Sequence, residues 1–257
     1  MQNFLDFFGF VEPNVVEFED QKNNLKVLYN NDKSEACLFS GEERWLTYSP
    51  KYKESLWEVF SHYWIADGVC ICTGLGFALR ESWILSKKNV SKVVVLEKSK
   101  ELIEYHKKFN SQIFDELEVI NVDANEYKGK CDTLLLDHYE TETWDEIAKY
   151  SRNILKNIIC EKMWIWPLEH QLIVGYINSE ENESFQQIYN KIKLKYGLTK
   201  LPELREEELR LFVFSFFRGL NLSWSADDID NHKKKITSEW YKSWNDKKLH
   251  VHPETFC

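Results

Sequence analysis

Four short segments of this sequence follow directly after apolar runs and carry the residue types that could do chemistry. The first is the TGLG segment at 73–76, and the others begin at Glu97, Asp123 and Asp137. Glycines let a backbone pass close to a ligand, whereas carboxylates accept hydrogen bonds from hydroxyl or amino groups and can take a proton. The pattern therefore predicts a small-molecule site built from four separate chain segments.

The glycine segment follows the apolar run VCICT and opens a helical pattern, so backbone and free N–H groups can surround a ligand there. A dinucleotide-binding fingerprint requires a small residue three positions after its second glycine, and Leu79 stands at that position. We therefore expect a ligand without a pyrophosphate; a tight turn that binds nothing is the alternative. The residues expected to contact the ligand are Cys72, Thr73, Gly74 and Gly76.

Glu97 ends the apolar run VVVLE, 21 residues after Gly76. An acidic residue at about this distance can accept hydrogen bonds from ribose hydroxyls. The alternative is that Glu97 only caps the helix expected to begin at Ser99. We predict the ribose-binding role for Glu97, with Lys98 beside it in the cofactor site.

Asp123 and Ala124 follow the apolar run LEVINV. A carboxylate at this place can accept a hydrogen bond from the exocyclic amine of adenine, and the small side chain of Ala124 allows the ring to lie close. Asp123 can instead be a turn residue, since aspartate favours turns. We predict that both residues contact the adenine.

Four polar or ionisable residues follow the run TLLL, namely Asp137, His138, Tyr139 and Glu140. A carboxylate or an imidazole there can bind a substrate amine and take its proton near neutral pH. We predict catalytic roles for Asp137, His138 and Glu140 and substrate contact for Tyr139. The alternative is that Asp137 caps a loop and His138 packs beneath it.

Alternating strand and helix patterns must position these segments. Apolar runs predict strands at VCICT, VVVLE, LEVINV, TLLLD, KMWIW and LIVGYI, and helical spacing predicts helices at FALRESWILSKK, SKELIEYHKKFNSQIF and WDEIAKYSRNIL. Continuous apolar strands fit a parallel sheet that is buried on both faces. The fold class is therefore α/β, with a Rossmann-like, doubly wound, mostly parallel sheet.

The flanking regions show other patterns. β-rich runs around NNDKS predict an N-terminal hairpin or small sheet, and YKESLWEVFSHYWIA predicts one helix over 52–66. ESFQQIYNKIKLKYG predicts a helix, and LRLFVFSFF predicts an antiparallel last strand. We expect a β-rich region at 1–50, a catalytic domain at 51–222 and a charged, Trp-rich extension at 223–257.

Composition limits the class of function. The net charge of −9 argues against tight nucleic-acid binding, which requires a basic surface. No apolar run reaches the roughly 18 residues needed to span a bilayer, no basic segment opens the chain as in a signal peptide, and the six cysteines form no C-x-x-C pair. We expect a cytoplasmic protein with reduced thiols, no membrane contact and a small-molecule acceptor; a homodimer stays open.

In their order, these residues resemble the class I S-adenosylmethionine-dependent methyltransferases. VCICTGLGFA is similar to the glycine-rich first motif, VVVLEKS to the acidic second, NVDANEY to the third and CDTLLLDHYE to the fourth. Over residues 67–170 the resemblance implies a Rossmann-like domain that binds S-adenosylmethionine. The methionine end of this cofactor would lie near Thr73, Gly74 and Gly76.

Within that superfamily the chain is most similar to the spermidine-synthase-like branch. LTYSPKYKESLW resembles the segment that joins the N-terminal hairpin of that branch to its catalytic domain. The resemblance implies that Glu97 binds ribose, Asp123 the adenine edge and Asp137 the attacking amine. It also places Tyr52 near a substrate-contacting tyrosine.

The chain departs from the branch at three places. Cys70 stands where an acid is usual, Cys72 where a glycine is usual, and the glycine segment contains no acid. LLLDHYE also resembles the catechol methyltransferases, but their catalytic lysine would fall at Glu140, and their metal-binding acid–amide pair is absent from IWPLEH. We therefore expect no metal.

Three functions remain open. The first is methyl transfer to a small or cationic acceptor, which Asp137, His138 and Glu140 would orient or deprotonate. The second is aminopropyl transfer from decarboxylated S-adenosylmethionine, as in spermidine synthase. The third is a non-catalytic binding module that retains the fold, which Cys70 and Cys72 in the first motif keep open.

Overall fold

The computed structural model describes residues 10–20, 24–48, 55–137, 143–179 and 183–219. The described residues divide into two compact units: the first is drawn from 10–16, 59–168 and 189–203, and the second from 17–58, 169–188 and 204–219. The expected boundary near residue 50 falls in the undescribed segment 49–54, and the extension at 223–257 lies outside the described residues. The three-part division therefore stays a prediction.

The second unit contains a four-stranded antiparallel sheet in which strands adjacent in the chain pair with each other. Its strands are β1 (Phe18–Asp20), β2 (Leu25–Tyr29), β3 (Ala36–Ser40) and β4 (Glu43–Tyr48). Val27 on β2 lies opposite Leu38 on β3, and both side chains are buried. The structure confirms the predicted N-terminal sheet, and the run EACLFSGEERWLTY turns back at Gly41 to form two of its strands.

A five-stranded sheet lies in the first unit. Its strands are β5 (Gly68–Thr73), β6 (Val90–Glu97), β7 (Glu118–Asn121), β8 (Gly129–Leu136) and β9 (Ile158–Ile165). The order across the sheet is β7-β6-β5-β8-β9, and each of these pairings is parallel. Numbered from its own first strand, this is the 3-2-1-4-5 order of a Rossmann-like sheet, which confirms the predicted fold class.

Continuous apolar runs form the interior of this sheet. The side chains of 93–96 on β6 and of 134–136 on β8 are all buried. Strands covered on both faces need no alternation of polar and apolar residues, which is why the sequence predicted them correctly. The helices of the described residues are α1 (Ser55–Glu58), α2 (Phe60–Ile65), α3 (Leu79–Leu85), α4 (Lys100–Phe109), α5 (Ser111–Phe114), α6 (Trp144–Ile154), α7 (Leu168–Asn178), α8 (Phe185–Lys195) and α9 (Glu206–Gly219).

Two helices that were each predicted as continuous are divided. The described part of 52–66 forms α1 and α2, which are separated at Val59. The helix predicted from Ser99 onward breaks at Asn110, between α4 and α5. The Asn110 side chain accepts a hydrogen bond from the Asn14 N–H and donates one to the Asn14 carbonyl at 3.0 Å. Side chains of this type readily compete with the helical ladder for backbone partners.

Two predicted strands are wrong, because LIVGYI lies in helix α7 and LRLFVFSFF lies in helix α9. A short apolar run does not distinguish a buried strand from a buried helix. Buried residues of α9 recur at helical spacing, and three glutamates in its first turn suit the positive end of the helix dipole. The buried apolar residues are Leu209, Phe212, Val213 and Phe216. The expected antiparallel last strand is therefore absent from the described part of the sheet, which is wholly parallel.

Residues 10–16 are held to α3 and α4 of the first unit. The backbone of Val16 forms two hydrogen bonds with the Tyr105 hydroxyl, donating at 2.9 Å and accepting at 3.1 Å. Asn14 is bound by Asn110, and the Ser82 hydroxyl donates to the Val11 carbonyl. Across the described residues, no helix combines the length and apolar character that a membrane-spanning segment requires.

Candidate functional site

Four residues predicted from the sequence follow four adjacent strands at the same end of the parallel sheet. Asp123 comes after β7, Glu97 ends β6, Gly74 follows β5 and Asp137 follows β8. We call this end, defined by these four residues, the carboxyl edge. Successive strands are added on one side of β5 as far as β7 and then, from β8 onward, on its other side, so the strand order reverses between β5 and β8. Ligands of open α/β sheets bind at such a switch point.

The glycine segment at the carboxyl edge has an unusual backbone. Gly74 and Gly76 adopt positive φ angles of 75° and 49°, which explains the need for glycine at both positions. The Gly74 N–H donates to the Leu96 carbonyl at 2.9 Å, so the segment is attached to the end of β6. Ala78, which precedes α3, also has a positive φ of 59°, a conformation that costs a side-chain-bearing residue energy.

Cys72 and Thr73 meet the site in different ways. The Cys72 side chain is fully buried, and burial raises the pKa of its thiol well above the ordinary value. Only its backbone is therefore placed to meet a ligand. The Thr73 hydroxyl is also buried and accepts a hydrogen bond from the Asp137 N–H at 3.0 Å. This bond joins the ends of β5 and β8 at the switch point.

Glu97 connects the glycine segment with the start of α4. One carboxylate oxygen accepts the Leu75 N–H at 2.8 Å, and the other accepts the Ser99 N–H at 2.6 Å. The helix cap itself is Ser99, whose hydroxyl accepts the Leu102 N–H at 3.1 Å. Burial raises the pKa of Glu97, while the N–H groups of Ser99 and Leu75 lower it in part. The backbone N–H of Lys98 also lowers this pKa, so three backbone N–H groups stabilise the charged form of the carboxylate.

Asp123 is both a turn residue and part of the carboxyl edge. One of its oxygens accepts the backbone N–H of Asn125 at 2.9 Å and the Asn125 side-chain amide at 3.0 Å. Its other oxygen lies 3.8 Å from the ammonium of Lys98, which is 69% exposed. Ala124 beside it is buried and small. Asp123 therefore acts as a turn residue, which was the alternative considered from the sequence, and its carboxylate still lies at the carboxyl edge.

Asp137, next to the switch point, is half-buried, with 36% of its side chain exposed. Burial of the group raises its pKa, and the Arg80 guanidinium, 3.5 Å away, lowers it in part. Four further residues that the sequence assigned to catalysis or substrate contact lie outside the described residues, and their roles stay predictions. They are Tyr52, His138, Tyr139 and Glu140.

Two buried charged residues on α3 were missed by the sequence analysis. Arg80 donates from one terminal nitrogen to the carbonyls of Thr73 at 3.1 Å and Gly74 at 2.8 Å, and from its Nε to Glu81 at 2.8 Å. Burial alone would lower the pKa of Arg80, but Glu81, Cys72 and Asp137 outweigh it, so the guanidinium stays charged. The available signal was a charged Arg-Glu pair inside the otherwise apolar run FALRESWIL.

Two buried histidines near the site were also not predicted from the sequence. His106 on α4 donates from Nε2 to the Gly76 carbonyl at 2.8 Å, since a carbonyl can only accept. Burial lowers the pKa of His106 to about 4, so it supports the glycine segment as a neutral ring. His62 on α2 is fully buried, its two ring nitrogens have no hydrogen-bond partner, and burial together with Arg80 lowers its pKa. The signal for His106 was its position four residues after Leu102, on the buried face of α4.

Comparison with solved structures finds spermidine synthases and methyltransferases. Spermidine synthase from Thermotoga maritima aligns with a TM-score of 0.44 and 14% identity, covering 60% of this chain and 56% of that chain. A spermidine synthase in complex with the transition-state analogue AdoDATO aligns with a TM-score of 0.43 and 14% identity, covering 60% and 57%. A candidate S-adenosyl-L-methionine-dependent methyltransferase from Methanococcus maripaludis aligns with a TM-score of 0.34 and 14% identity, covering 79% and 78%.

The similarity at these identities concerns the fold alone. This chain spans less than two thirds of the length of the spermidine synthases that it matches. No family model matches the chain, and no curated protein matches it significantly.

Proposed function

We propose that this protein is an S-adenosylmethionine-dependent methyltransferase that acts on a small or cationic acceptor. The observation that carries the proposal is the convergence of Gly74, Glu97, Asp123 and Asp137 on one edge of a parallel sheet, around its switch point. Residues from four separate segments, each of a type suited to a different part of an adenosyl ligand, meet at the place where such sheets bind ligands.

The residues of the carboxyl edge fit the nucleoside part of that cofactor. Glu97 ends β6 at this edge, and an acid at the end of the second strand is the type of residue that accepts hydrogen bonds from ribose hydroxyls. Asp123 offers a carboxylate to the exocyclic amine of adenine, and buried Ala124 leaves room for the ring. Lys98, whose ammonium lies near Asp123, completes the predicted nucleoside contacts.

The charge of the carboxyl edge favours a cationic ligand. Among the described residues there, the carboxylates of Glu81, Glu97, Asp123 and Asp137 outnumber the cations of Arg80 and Lys98. Bound S-adenosylmethionine supplies an activated methyl group on a positively charged sulfur. A surplus of carboxylates stabilises positive charge both on that sulfur and on an acceptor amine.

Asp137, His138 and Glu140 are the residues predicted to orient the amino groups of the reactants and to accept a proton. With the half-buried Asp137 carboxylate at the methionine end of the cofactor, His138 or Glu140 would accept a hydrogen bond from an acceptor N–H or O–H. That group would take the proton as the acceptor's lone pair bonds to the methyl carbon. The pair of electrons of the broken carbon–sulfur bond stays on sulfur. The glycine segment and Glu97 hold the donor so that acceptor, methyl group and sulfur lie in line.

The test begins with isothermal titration calorimetry of S-adenosylhomocysteine against the full chain. The protein is then incubated with S-adenosylmethionine, or with its decarboxylated form, and a panel of small amines, and the nucleoside product is identified by mass spectrometry. S-adenosylhomocysteine as product supports methyl transfer. Methylthioadenosine formed from the decarboxylated donor would show aminopropyl transfer instead of methyl transfer. Binding without turnover would indicate a non-catalytic binding module. Absence of binding would overturn the proposal.

A further inference from the structure

Arg80 connects three parts of the carboxyl edge. It donates to the last carbonyl of β5, at Thr73, and to the carbonyl of Gly74 in the glycine segment. Its other terminal nitrogen lies 3.5 Å from the carboxylate of Asp137, beyond the end of β8. A single planar guanidinium therefore spans the switch point, using the fork of donors that distinguishes arginine from lysine.

Arg80 and Asp137 lie at different depths. The Arg80 side chain is 5% exposed and the Asp137 side chain is 36% exposed, so Asp137 is the member of this pair that a ligand can reach more easily. The Arg80 nitrogen that faces Asp137 is buried and has no hydrogen-bond partner of its own. The positive charge on this nitrogen therefore attracts the Asp137 carboxylate. The backbone N–H of Asp137 donates to the Thr73 hydroxyl, which fixes the position of the residue.

The charges within this cluster do not cancel. Glu81 lies against Arg80, with both side chains buried, and balances its positive charge. The negative charge of Asp137 is then left over at the exposed side of the cluster. Such a group attracts an ammonium rather than a carboxylate.

We infer that Arg80 is a positioning residue that holds the Asp137 carboxylate at the switch point to receive the amino group at the methionine end of the ligand. The inference assigns the ligand contact to Asp137 and none to Arg80, whose side chain is only 5% exposed. The inference rests on the proposed function and deepens it, since it identifies what sets the orientation of the acid.

The test measures calorimetric affinity for two probes that share an adenosine and a thioether. S-adenosylhomocysteine carries the amino group, and methylthioadenosine lacks it. The variants are Arg80→Lys, Asp137→Asn and the double variant. Arg152→Lys is the matched control, since Arg152 is exposed and donates to the Tyr196 carbonyl at 2.7 Å in the same unit. Because removal of a buried partner can unfold a protein, thermal unfolding is recorded for each, and Arg80→Met/Glu81→Gln, which removes both buried charges, serves as a second background.

We expect Arg80→Lys and Asp137→Asn each to weaken S-adenosylhomocysteine binding about fivefold or more and to change methylthioadenosine binding less than about twofold. The double variant should bind like Asp137→Asn alone, since the two residues act through one contact. Losses that multiply in the double variant, or that are equal for both probes, would overturn the inference while leaving the proposed function intact. Failure of the unaltered protein to bind either probe would overturn both. If Arg80→Lys does not fold, Arg80→Met/Glu81→Gln takes its place. The affinities of that variant for the two probes, with Asp137 and with Asp137→Asn, are then compared against the same expectations.

Discussion

The carboxylate of Glu97 accepts the backbone N–H of Leu75 at 2.8 Å, across 22 residues of sequence. The end of β6 thereby fixes the segment that follows β5, and the acid predicted to bind ribose also shapes the neighbouring glycine segment. Its replacement should therefore change both the stability of that segment and its affinity for a nucleoside.

Glu97→Ala should weaken S-adenosylhomocysteine binding at least about tenfold, because the proposed hydrogen bonds from the ribose hydroxyls to a charged acceptor are lost. The unaltered protein should also prefer the ribose form of this ligand to its 2′-deoxy analogue, and Glu97→Ala should remove the preference. Calorimetry with both ligands measures this. Glu104→Gln is the control, since it makes the same change of charge on the exposed face of α4. A preference that persists in Glu97→Ala would exclude Glu97 from ribose binding.

His106 should make the protein less stable in acid. In the unfolded chain a histidine takes up a proton below about pH 6.5, whereas burial holds the pKa of His106 at about 4 in the folded protein. The unfolded state thus binds more protons between these values, and the free energy of unfolding decreases as pH falls through this window. The full effect is about 3 kcal/mol.

His106→Gln keeps a donor for the Gly76 carbonyl but cannot titrate. Urea unfolding of both proteins at several pH values between 7 and 4 should show a smaller loss of stability in the variant. Taking the difference between the two proteins cancels the contributions of other groups, such as His62. Parallel curves would show that His106 is protonated equally in the folded and unfolded states.

Alanine substitutions in α9 should follow a helical pattern. Phe212→Ala should lower the free energy of unfolding by about 3–5 kcal/mol, because it removes a fully buried aromatic ring. Leu211→Ala, at a side chain that is 36% exposed, should change it by less than about 1 kcal/mol. In a strand, Leu211 would share a face with Leu209 and Val213. A large effect at Leu211 together with a small one at Phe212 would thus restore the strand that the sequence suggested.

His62→Leu should stabilise the protein by about 1 kcal/mol, because it replaces a buried ring whose two nitrogens have no hydrogen-bond partner with an apolar side chain of similar size. Differential scanning calorimetry should show a higher Tm. A lower Tm would mean that the imidazole makes a favourable interaction that the leucine cannot replace. The charge of Arg80 lies close enough to His62 to affect its pKa and would be the first candidate.

The parts of the structure that sequence predicted correctly depend on local patterns. Each of Gly74, Glu97, Asp123 and Asp137 follows an apolar run, and the order of strands in a Rossmann-like sheet brings the ends of such runs together. The same local reasoning failed for LRLFVFSFF, because its β-rich composition concealed a helical spacing of buried residues.

The supporting residues of the site could not be predicted from local pattern. His106 reaches Gly76 across 30 residues, and Arg80 reaches Asp137 only because α3 and β8 are brought to one place by the sheet. In a single sequence, such residues look like charged or polar interruptions of a helix face. Their partners become visible only when the tertiary structure is known.

The attachment of residues 10–16 has a consequence for how the Rossmann-like unit can be produced by itself. A shortened protein that begins at residue 51 would lack the backbone groups that satisfy Tyr105, Asn110 and Ser82. Those side chains would lose these hydrogen bonds on the surface of the helices that carry His106 and Arg80. Any attempt to isolate the Rossmann-like unit should therefore retain residues 10–16, joined by a linker in place of the N-terminal sheet.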